Sequence, residues 1–511
     1  MHNEKKKYSV RLALVFGCLL GGVVFQAASA GSVTSGMASL VSASSSLIQG
    51  ELDTGAGEDD TSLSQVSKPL PDDVAVESSG SPAYRKVLAV IKAELRQGRP
   101  TAALRLLEKD QLAASLKPAE FDRLRAQIAR SYLTEGKIDK AVGLAEKAIA
   151  RSGKLVPLAG WVVGQVAWRE QNFDRAFDMF SLVGRSPVAS DWFQSAGAFW
   201  AARSAVRIGR SDEAKKWLEK AAEHSRTFYG LIALRALDRD FAFNWEPPVV
   251  NRAEKHKLDA AASVQDALKL AQGGKVSAAI HKLDESGWMA ERVKRERLLA
   301  YLMDKKTPSL VLYLARKTKN AEGKFFDAAL YPLSPWQPKT GYEVDQALVL
   351  ALVRQESRFN PHAVSSTGAK GLMQLLPSTA RDMSSSEEES LSNPDVNLAV
   401  GQKYVRHLLK DPAVGNDLFK MAAAYNAGPG NLARWQRNAS ESAKDPLLFL
   451  ESIPAAETRA FVERVMVNYW IYSIRMGKDI PSLEAVASRD ETVVASSGRA
   501  HAGLIEIASS R

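Results

Sequence analysis

Cysteine is nearly absent from this chain. The single one, Cys18, lies inside the basic-then-apolar start, so a form cut after that start carries no thiol and no disulfide. Cys and His at metal-ligand spacing are missing as well, which leaves a metal site without ligands, and nothing in the sequence asks for a cofactor. No nucleic-acid-binding motif or clustered basic stripe is present, so nucleic acid is not an expected partner. The formal net charge of +10 includes about +3 from the first 30 residues. The mildly basic remainder suits an anionic polymer such as a bacterial wall without selecting it. At 511 residues the chain is too long for one compact core, and two or three domains are expected.

Residues 1–30 have a basic opening (Lys5, Lys6, Lys7, Arg11), an apolar run from Leu12 to Phe25 broken by Gly17, Gly21 and Gly22, and Ala28-Ser29-Ala30 at the cleavage position. This pattern reads as a secretory signal peptide and not as a membrane span. Lipid attachment at Cys18 fits poorly, because apolar residues continue past it and Phe16 occupies a place that calls for a small residue. Residues 31–82 are rich in Ser, Gly and other small residues, with an acidic patch at Glu58, Asp59 and Asp60. Little there can bury a core, so the stretch reads as a disordered leader.

Residues 83–330 carry helical signals that recur. A turn, a polar cap and a small residue opening an apolar helix appear at Gly98–Ala103, Gly136–Ala141, Gln171–Ala176 and Gly209–Ala214, with a fainter copy at Gly274–Ala279. Ala103, Ala141, Ala176 and Ala214 are spaced by 38, 35 and 38 residues. Such a period predicts paired-helix repeats of the tetratricopeptide sort, each covering its apolar face against a neighbour in a superhelical solenoid. Trp161, Trp168, Phe193, Trp200 and Trp217 fall at helical spacing, which predicts packing residues in preference to a sugar-stacking groove.

The proline-rich stretch Tyr331–Pro338 marks the expected domain boundary, with a catalytic domain over 331–480 and a flexible tail over 481–511. The boundary leads into a helix in which Val344, Leu348, Ala351, Leu352 and Glu356 share one face, while Leu350 and Val353 make the other flank apolar too. A carboxyl that ends such a buried helix is poorly solvated. Its neutral form is favoured, as a general acid working near neutral pH requires. Pairing of Glu356 with Arg354 or Arg358 is the competing reading. Pro361 ends the helix, Ser365–Gly368 forms a polar turn, and a second helical segment is expected from Gly371 to Ala380. Further on, Asn393-Pro394 and Asp417 read as helix caps, and Tyr425-Asn426-Ala427-Gly428-Pro429-Gly430 as a turn that stops the second of these helices.

The run Glu356-Ser357-Arg358-Phe359-Asn360-Pro361, followed by Ser365, Gly368-Ala369, Gly371-Leu372-Met373-Gln374, Pro377 and Thr379-Ala380, resembles the soluble, Slt-type lytic transglycosylases, whose catalytic domain is similar to goose-type lysozyme. Leu376 stands where that family has methionine. The AAAYNAGPGN run around Tyr425 and Asn426 resembles the family's second motif, and Glu451-Ser452-Ile453-Pro454 with Glu457-Thr458-Arg459 a third. Phe228-Tyr229-Gly230 extends the likeness to the helical repeats. The resemblance implies an all-α protein: a helical-repeat superhelix followed by a lysozyme-like catalytic domain.

The resemblance further implies that Glu356 is the catalytic acid and that Ser365, Gly371, Met373, Gln374, Tyr425 and Asn426 contribute to substrate binding. An acidic residue from the third motif approaches the site, either Glu457 or Glu451. The implied substrate is the glycan strand of peptidoglycan, in the periplasm. Two carboxyls are the common requirement for glycoside cleavage, and the central motif offers one. The family resolves this with the sugar's own C6 hydroxyl as nucleophile, which leaves a 1,6-anhydromuramic acid end. Two other readings stand beside it: a lysozyme-like hydrolase using water, and a periplasmic scaffold that grips glycan while its repeats hold protein partners.

Overall fold

The structure, a computed structural model, describes residues 80–384, 390–439 and 444–488. The expected signal peptide, most of the expected leader and the end of the tail lie outside them. Among the described residues the fold is all-α, with three isolated β-bridges and no extended strand.

Among the described residues the first helix begins at Pro82, where the Ser81 hydroxyl accepts from the Tyr84 N–H and the Ser81 N–H reaches Glu120 Oε1 at 2.7 Å. The five predicted repeat helices form at Pro100–Leu107, Ile138–Ser152, Phe173–Gly184, Ser211–Ala222 and Val276–Asp284. Ala103, Ala141, Ala176, Ala214 and Ala279 are all fully buried. A small side chain is needed there because each sits where a helix leaves its turn and lies directly against a neighbour. The turns before them share one device. Gly98, Gly136, Gly209 and Gly274 have positive φ, and Gln171 takes the same conformation at φ 60°, which an L-residue adopts at a cost and glycine does not. The tryptophans are core: Trp200 packs edge-on against Trp168, with ring centroids 5.0 Å apart, and Trp161 against Phe180 at 5.3 Å.

Polar ties join the repeat helices to the later ones. Buried Arg203 donates to Asp445 at 2.6 Å and Tyr229 donates to Glu451 at 2.6 Å, while within the repeat region Arg226 grips Asp327 through two bonds of 2.8 and 2.7 Å. The proline-rich stretch after Leu330 has no helix and is anchored, since the Tyr472 hydroxyl donates to the Pro332 carbonyl at 2.9 Å.

Two expectations need correction. The tail is helical over Pro481–Ala487, with Leu483, Val486 and Ala487 buried, because apolar residues at i and i+3 face the Phe228–Ala236 helix and Trp470 Nε1 donates to Ser482. The helix expected from Gly371 starts later, at Pro377. Gly371 (φ 78°) and Gln374 (φ 46°) are left-handed and hold residues 371–374 in a tight turn instead.

Candidate active site

Four helices supply the site. Gln346–Glu356 is buried along Ala347–Val353, with Asp345 capping its start by accepting from the Ala347 N–H at 2.8 Å. It packs against Ala456–Arg475. Pro394–Lys410 is capped by Asn393, and Leu418–Ala427 is capped by Asp417 and stopped by Gly428 at φ 84°. The caps at Asn393 and Asp417, and the stop after Ala427, are the ones the sequence predicts.

Glu356 is the last residue of its helix. Its side chain is partly accessible to solvent, yet protein encloses it closely. Burial first, and the charge of Glu457 second, raise the carboxyl to about 8. A salt-bridged carboxylate would be lowered instead, so the ion pair with Arg354 or Arg358 is not formed. Arg354 is occupied elsewhere, donating to the Leu330 carbonyl at 3.0 Å and to Asn468 Oδ1 at 2.6 Å. Burial, with Arg354 and Arg464 nearby, depresses Arg358 to about 10.

Tyr425 comes into electrostatic reach of Glu356. Burial, then Glu356 and Tyr404, push its hydroxyl well above the ordinary tyrosine value. The ring stacks on Phe461, with centroids 6.3 Å apart, and leans on Tyr404 at 5.4 Å. Its O–H donates to the Met373 carbonyl at 2.6 Å. That hydrogen is committed to a backbone acceptor, and the hydroxyl makes no hydrogen bond to Glu356.

The remaining predicted residues divide. Gln374 Nε2 donates to the carbonyls of Ala363 and Gly371 at 3.0 and 2.9 Å, closing the turn over which Ser365 bonds to Thr367 and to the Ala369 N–H. Asn426 is exposed and accepts from Thr458 Oγ1 at 2.7 Å, a bond that ties the second motif to the third. Glu457, exposed in the first turn of its helix, is the third-motif acid that approaches Glu356. Glu451 turns away to accept from Tyr229 and, at 3.3 Å, from Gln165. It lines a cavity of about 490 Å³ between repeat and later helices, beside Trp161, Arg169, Trp435 and Arg459. Met373 is fully buried against Gly401, so its contribution to the site is its backbone and not its side chain.

Two residues escaped the sequence reading. Thr458 has no signal of its own beyond the motif around it. Asn397 is fully buried; the clue was a polar residue in line with Gly401, Tyr404 and Leu408 on one helix face.

Residues 336–448 match the family described as Transglycosylase SLT domain. The chain carries an SLT domain. It is homologous to the soluble lytic murein transglycosylase of Escherichia coli (strain K12), with 29% identity over 309 residues, 56% of this chain and 44% of that protein. The chain thus matches less than half the length of that curated relative. The fold is that of the 70 kDa soluble lytic transglycosylase of Escherichia coli, with TM-score 0.58 and 21% identity over 83% of this chain and 67% of that one. An inactive mutant of the lytic transglycosylase Slt from Pseudomonas aeruginosa matches with TM-score 0.59 and 22% identity, over 87% of this chain and 72% of that one. Glu356, Gln374 and Tyr425 all fall inside the matched SLT domain, and Glu457 falls just after it.

Proposed function

We propose that this chain is a peptidoglycan lytic transglycosylase that breaks the β-1,4 bond between N-acetylmuramic acid and N-acetylglucosamine with no net addition of water. The observation that carries this reading is the Glu356 carboxyl, raised to about 8 and free of any ion pair, so that it is protonated at neutral pH. Glu356 gives its proton to the glycosidic oxygen as the C1–O bond breaks, and the neighbouring N-acetyl carbonyl stabilises the positive charge on the ring. The resulting carboxylate then takes the proton of the C6 hydroxyl as that oxygen bonds to C1. The acid is restored and a 1,6-anhydro end remains. Intramolecular attack has the advantage of proximity over water, so the second carboxylate of ordinary glycosidases is not needed.

In this reading Gln374, Ser365 and Gly371 shape the turn against which the glycan lies, and Asn426 offers an exposed amide to a sugar. Glu457 sets the charge beside the acid. The repeat helices up to residue 330 form a domain that can hold protein partners, the catalytic domain runs from residue 331, and residues 1–30 direct export to the periplasm. Among the described residues no helix is long and apolar enough to cross a membrane. The test is turbidity of a peptidoglycan suspension: the parent clears it and Glu356→Gln, of equal shape, does not. Clearing by the variant at the parent's rate refutes the reading.

A further inference from the structure

We infer that the cavity of about 490 Å³ between the repeat helices and the later ones is a binding site for a short peptide with small apolar side chains and a free C-terminal carboxylate. Under the function proposed above, the source of such a peptide is the stem of peptidoglycan. That source rests on the transglycosylase reading, and the site itself does not.

The cavity is separate from the candidate active site, since none of Glu356, Gln374 and Tyr425 lines it. Its volume falls within the roughly 300–1,000 Å³ of small-molecule sites. One wall is the repeat turn at residues 134–138 together with the helix Pro157–Arg169. The other is the helix Pro429–Ala439, residues 451–454, and Arg459 at the start of the helix that carries Glu457.

The charges on these walls favour an anion. Three arginines and two glutamates line the cavity, and both acids are already paired. Glu451 accepts from Tyr229 at 2.6 Å and from Gln165 at 3.3 Å, and Glu135 accepts from Lys137 at 2.7 Å. Arg459 donates to the Ile453 carbonyl. Arg169 makes one bond, to the Gln165 carbonyl at 3.2 Å, and its other N–H groups have no partner among the described residues. Burial lowers this guanidinium although the charge of Glu451 pulls the other way. A carboxylate arriving there offsets that desolvation through the paired bonds arginine is shaped to make.

The rest of the lining favours a peptide over a sugar. Trp161 and Trp435 are only 5% and 7% exposed, so neither offers an open ring face for a sugar to stack on. The accessible apolar surface includes Ile138 and Pro454, at the scale of methyl-sized side chains. The Asn438 amide, exposed and without a bond among the described residues, is available to peptide N–H and C=O groups.

The experiment is isothermal titration calorimetry of the full-length protein with the free tetrapeptide stem of peptidoglycan. The comparison ligands are the same peptide amidated at its C-terminus, tetra-L-alanine and sodium acetate. One stem is expected to bind per chain. Amidation and Arg169→Gln are each expected to weaken binding by about tenfold or more, the loss of a charge-assisted hydrogen bond. Ile138→Asp, which sets a carboxylate on an exposed part of the wall, is expected to weaken it similarly, and Glu356→Gln to bind as the parent does. No binding at millimolar stem, equal binding by the amide or by acetate, or full affinity in Arg169→Gln and Ile138→Asp overturns the inference. Loss of binding in Glu356→Gln also overturns it, by placing the peptide in the active site. Tetra-L-alanine binding as tightly as the stem overturns the stem as the source. If Arg169→Gln does not fold, Ile138→Asp decides alone. A parent that binds the stem but clears no peptidoglycan loses the transglycosylase reading and keeps the site; one that clears peptidoglycan without binding the stem loses the site alone.

Discussion

Glu457 stands in the first turn of its helix within electrostatic reach of Glu356, and its charge adds to burial in raising the Glu356 carboxyl to about 8. A general acid must hold its proton, so activity is present below that value and lost as pH rises through it. Burial is the larger cause. Glu457→Gln is therefore expected to shift the alkaline limb of the kcat/KM profile toward acid by less than about one unit, and to leave its shape intact. An alkaline shift, or none, would contradict the placement.

The same raised value makes a stability prediction. Folded Glu356 binds its proton more tightly than the unfolded chain does, so this residue costs nothing at pH 4 and increasingly destabilises the fold as pH climbs from the ordinary carboxyl value toward 8. Glu356→Gln removes that cost. Its unfolding free energy from urea titration should match the parent's at pH 4 and exceed it at pH 8 by on the order of 4 kcal/mol, at about 1.4 kcal/mol per unit between 4.5 and 8.

Gly371 has no room for a methyl group. A Cβ there would lie 2.2 Å from Asn397 Nδ2 and from the Leu391 carbonyl oxygen, and φ is 78°. Gly371→Ala should lose about 2 kcal/mol or more of stability by thermal melting, with a fall in kcat from displacement of the turn beneath Tyr425.

Asp445 is held below its ordinary carboxyl value although burial alone would raise it, because Arg203 and the N–H groups of Leu447 and Leu448 favour the charged form. Arg203 lies almost wholly buried over Trp168 and Trp200. Asp445→Ala leaves that guanidinium without its carboxylate and should cost about 3–5 kcal/mol in chemical denaturation. Because the Asp445 value is lowered, the stabilisation is present at neutral pH and is lost in the parent as pH falls through that lowered value.

The parts of this protein that were legible in the sequence are those set by local rules. The recurring alanines announce helix contacts because only a small side chain fits where each repeat leaves its turn, and the caps at Asn393 and Asp417 announce helix starts because they satisfy free N–H groups. Glu356 was legible because a charged residue at the end of an apolar stripe has few bland explanations once a motif follows it. Long-range hydrogen bonds left no such trace. Nothing local tells that Glu451 turns to Tyr229 while Glu457, six residues on, faces Glu356. Nor does any local rule give the direction of the Tyr425 hydroxyl, which depends on a carbonyl 52 residues away. The turn at Gly371–Gln374 was misread as helix because Gln374 takes a left-handed conformation that its side chain stabilises by bonding back to Gly371 and Ala363.

The most direct test of the account is mass spectrometry of the soluble fragments released when the purified protein digests peptidoglycan. Attack by the C6 hydroxyl predicts muropeptides ending in 1,6-anhydromuramic acid, each lighter by one water than its hydrolysed counterpart, with none formed by Glu356→Gln. Fragments bearing reducing-end N-acetylmuramic acid, one water heavier, would contradict it.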